Sequence, residues 1–332
     1  MIERKAILVG LGGRATNYWM EQLHGHPHVQ VEAYVDSSQD CRQRAADQGV
    51  DGKKIYTSLD EALDACEADF VVDVTPPAVH HKIAARAFEA GLHVLGEKPL
   101  SDRFEIARDI ERQGAEAGLK HMIAQNYRFN GGARTVRKMI AERRIGPPGQ
   151  CDVTFYKDWA RGLTGSHYLT EPYMLLNDMM VHHFDLMRYV LGADPLRVQA
   201  VTWNHPWGWH QGDAAHVIHF EFPDGLHATH VCVGCSLGAD TTYHGDWRID
   251  GPEGSIAWKH DAVRRVRQHQ GDGPLDEPVE LTEPPGDMIS EFLAAIDEDR
   301  EPECSAADNL KTLAMVFAAI RSAKENRRVT IE

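Results

Sequence analysis

Cysteine is sparse in this 332-residue chain. The six residues, at positions 41, 66, 151, 232, 235 and 304, lack the density of a disulfide-stapled scaffold and read as reduced thiols. Cys232 and Cys235 have CxxC spacing, but they lie in an alternating, strand-like stretch with no second CxxC, so neither zinc nor redox chemistry is assigned to them. Long apolar runs are missing as well. None approaches the roughly 20 residues of a spanning helix, and the glycine-broken start from Met1 to Gly13 does not read as a signal peptide. Positive charge is in deficit, with 35 Lys and Arg against 50 Asp and Glu and a formal charge of -15. Such acidity repels phosphate backbones and anionic headgroups, so the expectation is a cytoplasmic protein with no nucleic-acid or membrane partner. Low-complexity tracts, repeats and flexible linkers are also lacking. What remains is ordinary globular material, 42% apolar and 26% charged, at a length that suggests two domains.

The first 125 residues alternate short apolar runs with helix-period segments, the rhythm of βαβ units and a doubly wound parallel sheet. Strands are expected at Ala6 to Gly10, Val31 to Asp36, Lys54 to Tyr56, Phe70 to Thr75, His93 to Glu97 and His121 to Gln125. Beyond Asn126 the pattern changes. A helix near Val136 to Arg143 precedes a strand at Asp152 to Tyr156, a loop rich in Gly, Tyr and His, and one long helix over Met174 to Leu191. Alternating runs then follow, two of them separated by Pro223, Asp224 and Gly225, and they predict a large, mostly antiparallel sheet. The expected division is a domain over 1–126 and a second α/β domain over 127–332.

Gly10, Gly12 and Ala15 fit GxGxx(G/A) directly after the first strand, with Leu11, Gly13 and Arg14 between them. In that setting bare glycines let a dinucleotide pyrophosphate approach the backbone, and the opening helix attracts its charge. Alone, the motif is equally a tight turn. Asp36, ending the second strand, suits the adenosine ribose hydroxyls and would repel a 2'-phosphate, which favours NAD over NADP despite Arg42 and Arg44 nearby. Glu97, Lys98 and Pro99 close the fifth strand, at the edge where open α/β sheets bind ligands. Thr75 and Pro76 close the fourth in the same way, and His80 follows in the same loop region. A lysine there can hold a substrate hydroxyl and stabilise an alkoxide, though a solvated strand-end lysine looks the same. Asp178, His182 and Asp185, at i, i+4 and i+7, fall within about 60 degrees on one helical face. A polar surface stripe and a metal site would show the same spacing, and no metal is assigned.

The run DVTPPAVHHKIAARAFEAGLHVLGEKPL from Asp73 to Leu100, with GLGGRA, resembles the Gfo/Idh/MocA family of glucose-fructose oxidoreductase, inositol dehydrogenase and relatives. NYRF at Asn126 to Phe129, IDGPEG at Ile249 to Gly254 and NLKT at Asn309 to Thr312 extend the resemblance over nearly the whole chain. It implies an N-terminal Rossmann domain and a C-terminal α/β domain whose open sheet builds homodimers or homotetramers. It also implies a triad of Lys98, Asp178 and His182, from EKP and the pattern DxGxHxxD, with Met180 standing at the glycine position. The expected cofactor set is Gly10, Gly12, Gly13, Arg14, Ala15, Asp36, Thr75, Pro76, His80, Glu97, Lys98 and Asn126.

The implied reaction is hydride transfer from a secondary alcohol (or lactol) of a sugar or polyol to NAD. His182 acts as base, Lys98 holds the reacting oxygen, and Asp178 binds a neighbouring hydroxyl or tunes His182. Tyr127, Arg128, Lys157, Trp159, His167, Tyr168 and Tyr173 are the candidate substrate-lining residues, since aromatic faces and hydroxyls suit a polyhydroxylated ligand. An NAD-dependent glycosidase working through transient oxidation and a non-catalytic NAD-binding sugar-regulon regulator are the alternatives.

Overall fold

A computed structural model describes residues 2–159, 169–269, 273–281 and 286–332. The chain forms two compact units, Met1–Gln125 with Asp287–Leu310, and Asn126–Gly286 with Lys311–Glu332.

The first unit is built on six strands: β1 (Arg4–Val9), β2 (Val29–Val35), β3 (Ile55–Tyr56), β4 (Phe70–Asp73), β5 (His93–Gly96) and β6 (His121–Ile123). All pair in parallel, in the order β3-β2-β1-β4-β5-β6. Ala6 to Val9 and Phe70 to Val72 are buried, as central strands covered on both faces must be. The order reverses beside β1, so the carboxyl ends of β1 and β4 border the crevice in which such sheets bind ligands. The expected boundary at 126 is only half of the division, because the chain returns to this unit at Asp287. The helix Met288–Asp297 brings Phe292 edge-on to Phe70 at 5.4 Å. Arg4 pairs with Asp297 at 2.7 Å, and the Ile123 amide donates to the Cys304 carbonyl at 2.9 Å. A 125-residue sheet with one uncovered flank needs this apolar segment, wherever in the chain it lies.

The second unit carries a nine-stranded sheet of β7 (Gln150–Tyr156), β8 (Arg197–Trp203), β9 (Ala215–Glu221), β10 (His227–Val233), β11 (Asp246–Gly251), β12 (Gly254–Lys259), β13 (Ala262–His269), β14 (Gly273–Val279) and β15 (Val329–Thr330). Its order is β14-β13-β12-β11-β7-β10-β9-β8-β15, antiparallel except for the β7–β10 pair. Inward positions alternate along the strands, as with Cys151, Val153 and Phe155 on β7 and Ala228, His230 and Cys232 on β10. At the turn between β9 and β10, Gly225 adopts φ 76, a conformation that favours glycine. The helix expected over Met174 to Leu191 is two pieces, Met174–Asp178 and Met180–Leu191, separated at Met179. Every residue of the second piece is buried, so each of its polar side chains needs a partner inside the protein. Among the described residues no helix is long and apolar enough to cross a membrane. Cys232 and Cys235 are buried and form no disulfide, and burial pushes the Cys232 thiol far above its ordinary range, which leaves it unreactive.

Candidate active site

The glycine-rich turn leaves β1 with Gly10 at φ 90, and a side chain there would meet the Val74 carbonyl carbon at 2.7 Å. Gly10 is therefore required by the neighbouring strand end, before any ligand is considered. Gly12 differs: a Cβ there has nothing within 4 Å, so its face is open. The amides that follow open a helical segment and have no acceptor within it. Asp36 is oriented toward the same turn. Its Oδ2 accepts the Leu11 amide at 2.7 Å and its Oδ1 the Ser38 amide at 2.8 Å. A carboxylate offers about four acceptor positions, so two remain for ribose hydroxyls. Arg42 donates to the carbonyls of Asp36 and Ser37, at 2.6 and 2.9 Å, and so lies along the same loop. An open glycine face, free helix amides and an anchored acid form a donor and acceptor set that fits a dinucleotide.

Glu97 connects this turn to the expected catalytic lysine. Its Oε1 accepts Arg14 Nε at 2.7 Å and Trp19 Nε1 at 2.8 Å, while its Oε2 accepts the Lys98 amide at 3.1 Å. Glu97 is buried. His80 is buried and bonded on both ring nitrogens. Its Nε2 lies 2.6 Å from the Thr75 carbonyl and its Nδ1 2.9 Å from the Pro99 carbonyl, so the ring fastens the loop after β4 to the loop after β5. The Thr75 hydroxyl donates to Asp73 Oδ1 at 2.6 Å. Burial raises the Asp73 carboxyl above its ordinary range, while the nearby His80 and the Thr75 bonds oppose that rise.

In the second unit, the NYRF turn lies against the helix Met180–Leu191. Arg128 forks onto Asp185, Nε to Oδ2 at 2.6 Å and the second nitrogen to Oδ1 at 2.5 Å, and Thr312 adds a hydroxyl to Oδ1 at 3.1 Å. Both members of the pair are buried. Arg128, expected toward substrate, and Asp185, expected on one helical face with Asp178 and His182, neutralise each other in the interior, because an unpaired charge there would be costly. Tyr127 stacks on His182 with ring centroids 4.4 Å apart and planes 16 degrees from parallel, and it also packs against His244 at 4.7 Å. Asp178 ends the preceding helical piece and is half-buried.

The remaining expected lining is dispersed. Lys157 pairs with Asp240 at 3.0 Å and lies over Tyr243, Trp159 is buried beside His210, and Lys324 lies over the ring of Tyr173. His167 and Tyr168 fall outside the described residues.

The sequence reading missed a row of buried imidazoles. His183 Nε2 donates to the Tyr243 carbonyl at 3.0 Å, which leaves Nδ1 to accept from His230 Nε2 at 3.1 Å. His230 Nδ1 in turn accepts from His216 Nε2 at 3.0 Å. One carbonyl thus sets the tautomer of three neutral rings. Burial pushes His183 and His216 down to about 3 and His230 well below its ordinary value. The signal was available: His230 occupies an inward place between Ala228 and Cys232 in a period-two strand.

A doubly wound sheet with a glycine-rich turn, an anchored ribose acid and a lysine at the end of β5 defines a dinucleotide-dependent oxidoreductase. The chain belongs to the GFO/IDH/MocA family: the oxidoreductase model with NAD-binding Rossmann fold matches residues 4–125, and the GFO/IDH/MocA C-terminal domain matches residues 133–257. NAD is its cofactor. The chain is similar to inositol 2-dehydrogenase of Rhizobium meliloti, 28% identical over 96% of this chain and 97% of the relative. It is also similar to D-apiose dehydrogenase of Paraburkholderia graminis, 25% identical over 99% and 90%. Among solved structures, an oxidoreductase from Agrobacterium radiobacter in complex with NAD+, L-tartaric acid and magnesium shares the fold, with TM-score 0.88 and 20% identity over 99% of this chain and 98% of that one.

Proposed function

We propose that the protein oxidises a secondary alcohol, or a lactol, of a sugar or polyol. The observation that carries this reading is Glu97, one carboxylate bonded both to Arg14 of the phosphate turn and to the backbone of Lys98, which ties the strand end that bears the lysine to that turn. Bound NAD supplies the hydride acceptor. Gly12, Gly13, Arg14, Ala15 and Asp36 hold the dinucleotide, Pro76 and Asn126 flank it, and the Asp36 carboxylate disfavours a 2'-phosphate. Lys98 donates to the reacting oxygen and stabilises its developing charge, and His182 takes the hydroxyl proton at Nδ1 or Nε2. Asp178, one turn before His182, orients a neighbouring hydroxyl. The named activities of the inositol and apiose relatives support a polyhydroxylated substrate.

Homo-oligomers built through the open sheet belong to the same reading. Val201 on β8 and Val217 on β9 are register partners, 52% and 38% exposed, and form an apolar pair on the uncovered face. Light scattering after gel filtration tests this, and a monomer at micromolar concentration counts against it. A reducing, cytoplasmic setting agrees with six cysteines of which none is in a disulfide.

The deciding experiment incubates the protein with NAD or NADP and a panel of aldoses, ketoses, inositols and glycosides, following NADH absorbance and glycoside cleavage together. The expected result is NADH formation, reduced by roughly 10²–10⁴-fold in Lys98→Ala and in His182→Ala. Glycoside cleavage without net NADH would move the protein to the hydrolytic alternative, and wild-type turnover in both variants would remove the site assignment.

A further inference from the structure

Two contacts fix the NYRF turn to the helix Met180–Leu191, Tyr127 on His182 and Arg128 on Asp185. His182 and Asp185 are three residues apart and so share one helical face, and the turn covers that face. The ion pair sets the register, and the register lays the phenol ring flat on the imidazole. A ring stacked in this way loses freedom about its last side-chain torsion, while its nitrogens lie in the ring plane rather than under the stacked face. The electron-rich face of tyrosine also attracts an imidazolium more strongly than a neutral imidazole.

We propose that Tyr127 is a positioning residue for His182: its ring fixes the plane in which the imidazole lone pair is presented, and it stabilises the cation formed when His182 takes the hydroxyl proton. The role differs from the substrate contact expected of Tyr127, whose ring is buried against His182 and His244. It rests on the reading of His182 as the base. The aromatic ring is the working part, so phenylalanine suffices and an aliphatic side chain of similar size does not.

The test compares Tyr127→Phe, Tyr127→Leu and His182→Ala, using NAD and the panel substrate of highest turnover. Tyr127→Phe is expected to keep kcat within about threefold, within the range of a modest stacking change. Tyr127→Leu is expected to lose roughly 10–100-fold in kcat with both KM values little changed, and to show a larger solvent deuterium isotope effect as proton removal becomes slower. A loss carried by substrate KM alone would make Tyr127 a substrate contact and overturn the proposal, as would wild-type kcat in Tyr127→Leu. A second measurement covers a Tyr127→Leu variant that fails to fold. In ¹³C-histidine-labelled protein the His182 Cε1–H signal, assigned by its absence in His182→Ala, should be displaced by the tyrosine ring current and keep most of that displacement in Tyr127→Phe. An undisplaced signal overturns the stack itself. Full activity of His182→Ala would instead remove the base assignment, with the ring-current signal still reporting the stack, so the two failures are distinguishable.

Discussion

At the scale of single residues, Asp36 does two things with one carboxylate. In the proposed reading it takes the ribose hydroxyls, and it accepts the amides of Leu11 and Ser38 that shape the turn. Asp36→Ala should therefore weaken NAD binding and narrow the preference over NADP, and it should also destabilise the first unit by about 1–3 kcal/mol through two orphaned amides. Cofactor titration and thermal melting of the variant check both parts, and a wild-type protein that prefers NADP would contradict the assignment. Residues of this kind were legible in the sequence because the glycine turn, Asp36 and the EKP segment lie at strand ends that the alternation of apolar runs already located. The internal bonds of His80 and Glu97 were not legible. His80 reaches the Pro99 carbonyl and Glu97 reaches Arg14 and Trp19, partners on other segments that a local motif does not name.

At the scale of elements, the relation that matters is the NYRF turn on the helix Met180–Leu191. The sequence shows Asp178, His182 and Asp185 at helical spacing, but Arg128 and Asp185 are 57 positions apart and only the fold pairs them. Arg128→Met should destabilise the second unit by roughly 3–5 kcal/mol, because it leaves the buried Asp185 without its counter-charge, while Arg128→Met with Asp185→Leu should recover most of that loss. Urea denaturation of the single and double variants measures it; a single variant as stable as the wild type would mean that the pair is solvated. The break at Met179 was equally invisible, since Met174 to Leu191 reads as one unbroken apolar period.

At the scale of the whole molecule, stability should depend on pH through its buried histidines. His183, His216 and His230 are held neutral in the folded protein, far below the ordinary value of 6.5. Below pH 6.5 the unfolded chain takes up protons that the folded chain refuses, so stability is fully present above that value and falls as the pH drops toward 3. Each group contributes about 1.4 kcal/mol per pH unit over that window. Denaturation midpoints at pH 7.5, 6.5 and 5.5 should be level over the first interval and fall over the second, and a flat response to pH 5.5 would show that the row is hydrated. A different consequence follows from the return of the chain at Asp287. The β4 flank that Phe292 covers is translated long before Phe292 itself, so a nascent polypeptide on the ribosome carries that flank bare through most of its synthesis. Prematurely terminated products would keep Phe70 open to chaperones and proteases, and the nucleotide-binding half would mature among the last parts of the molecule although it is made first.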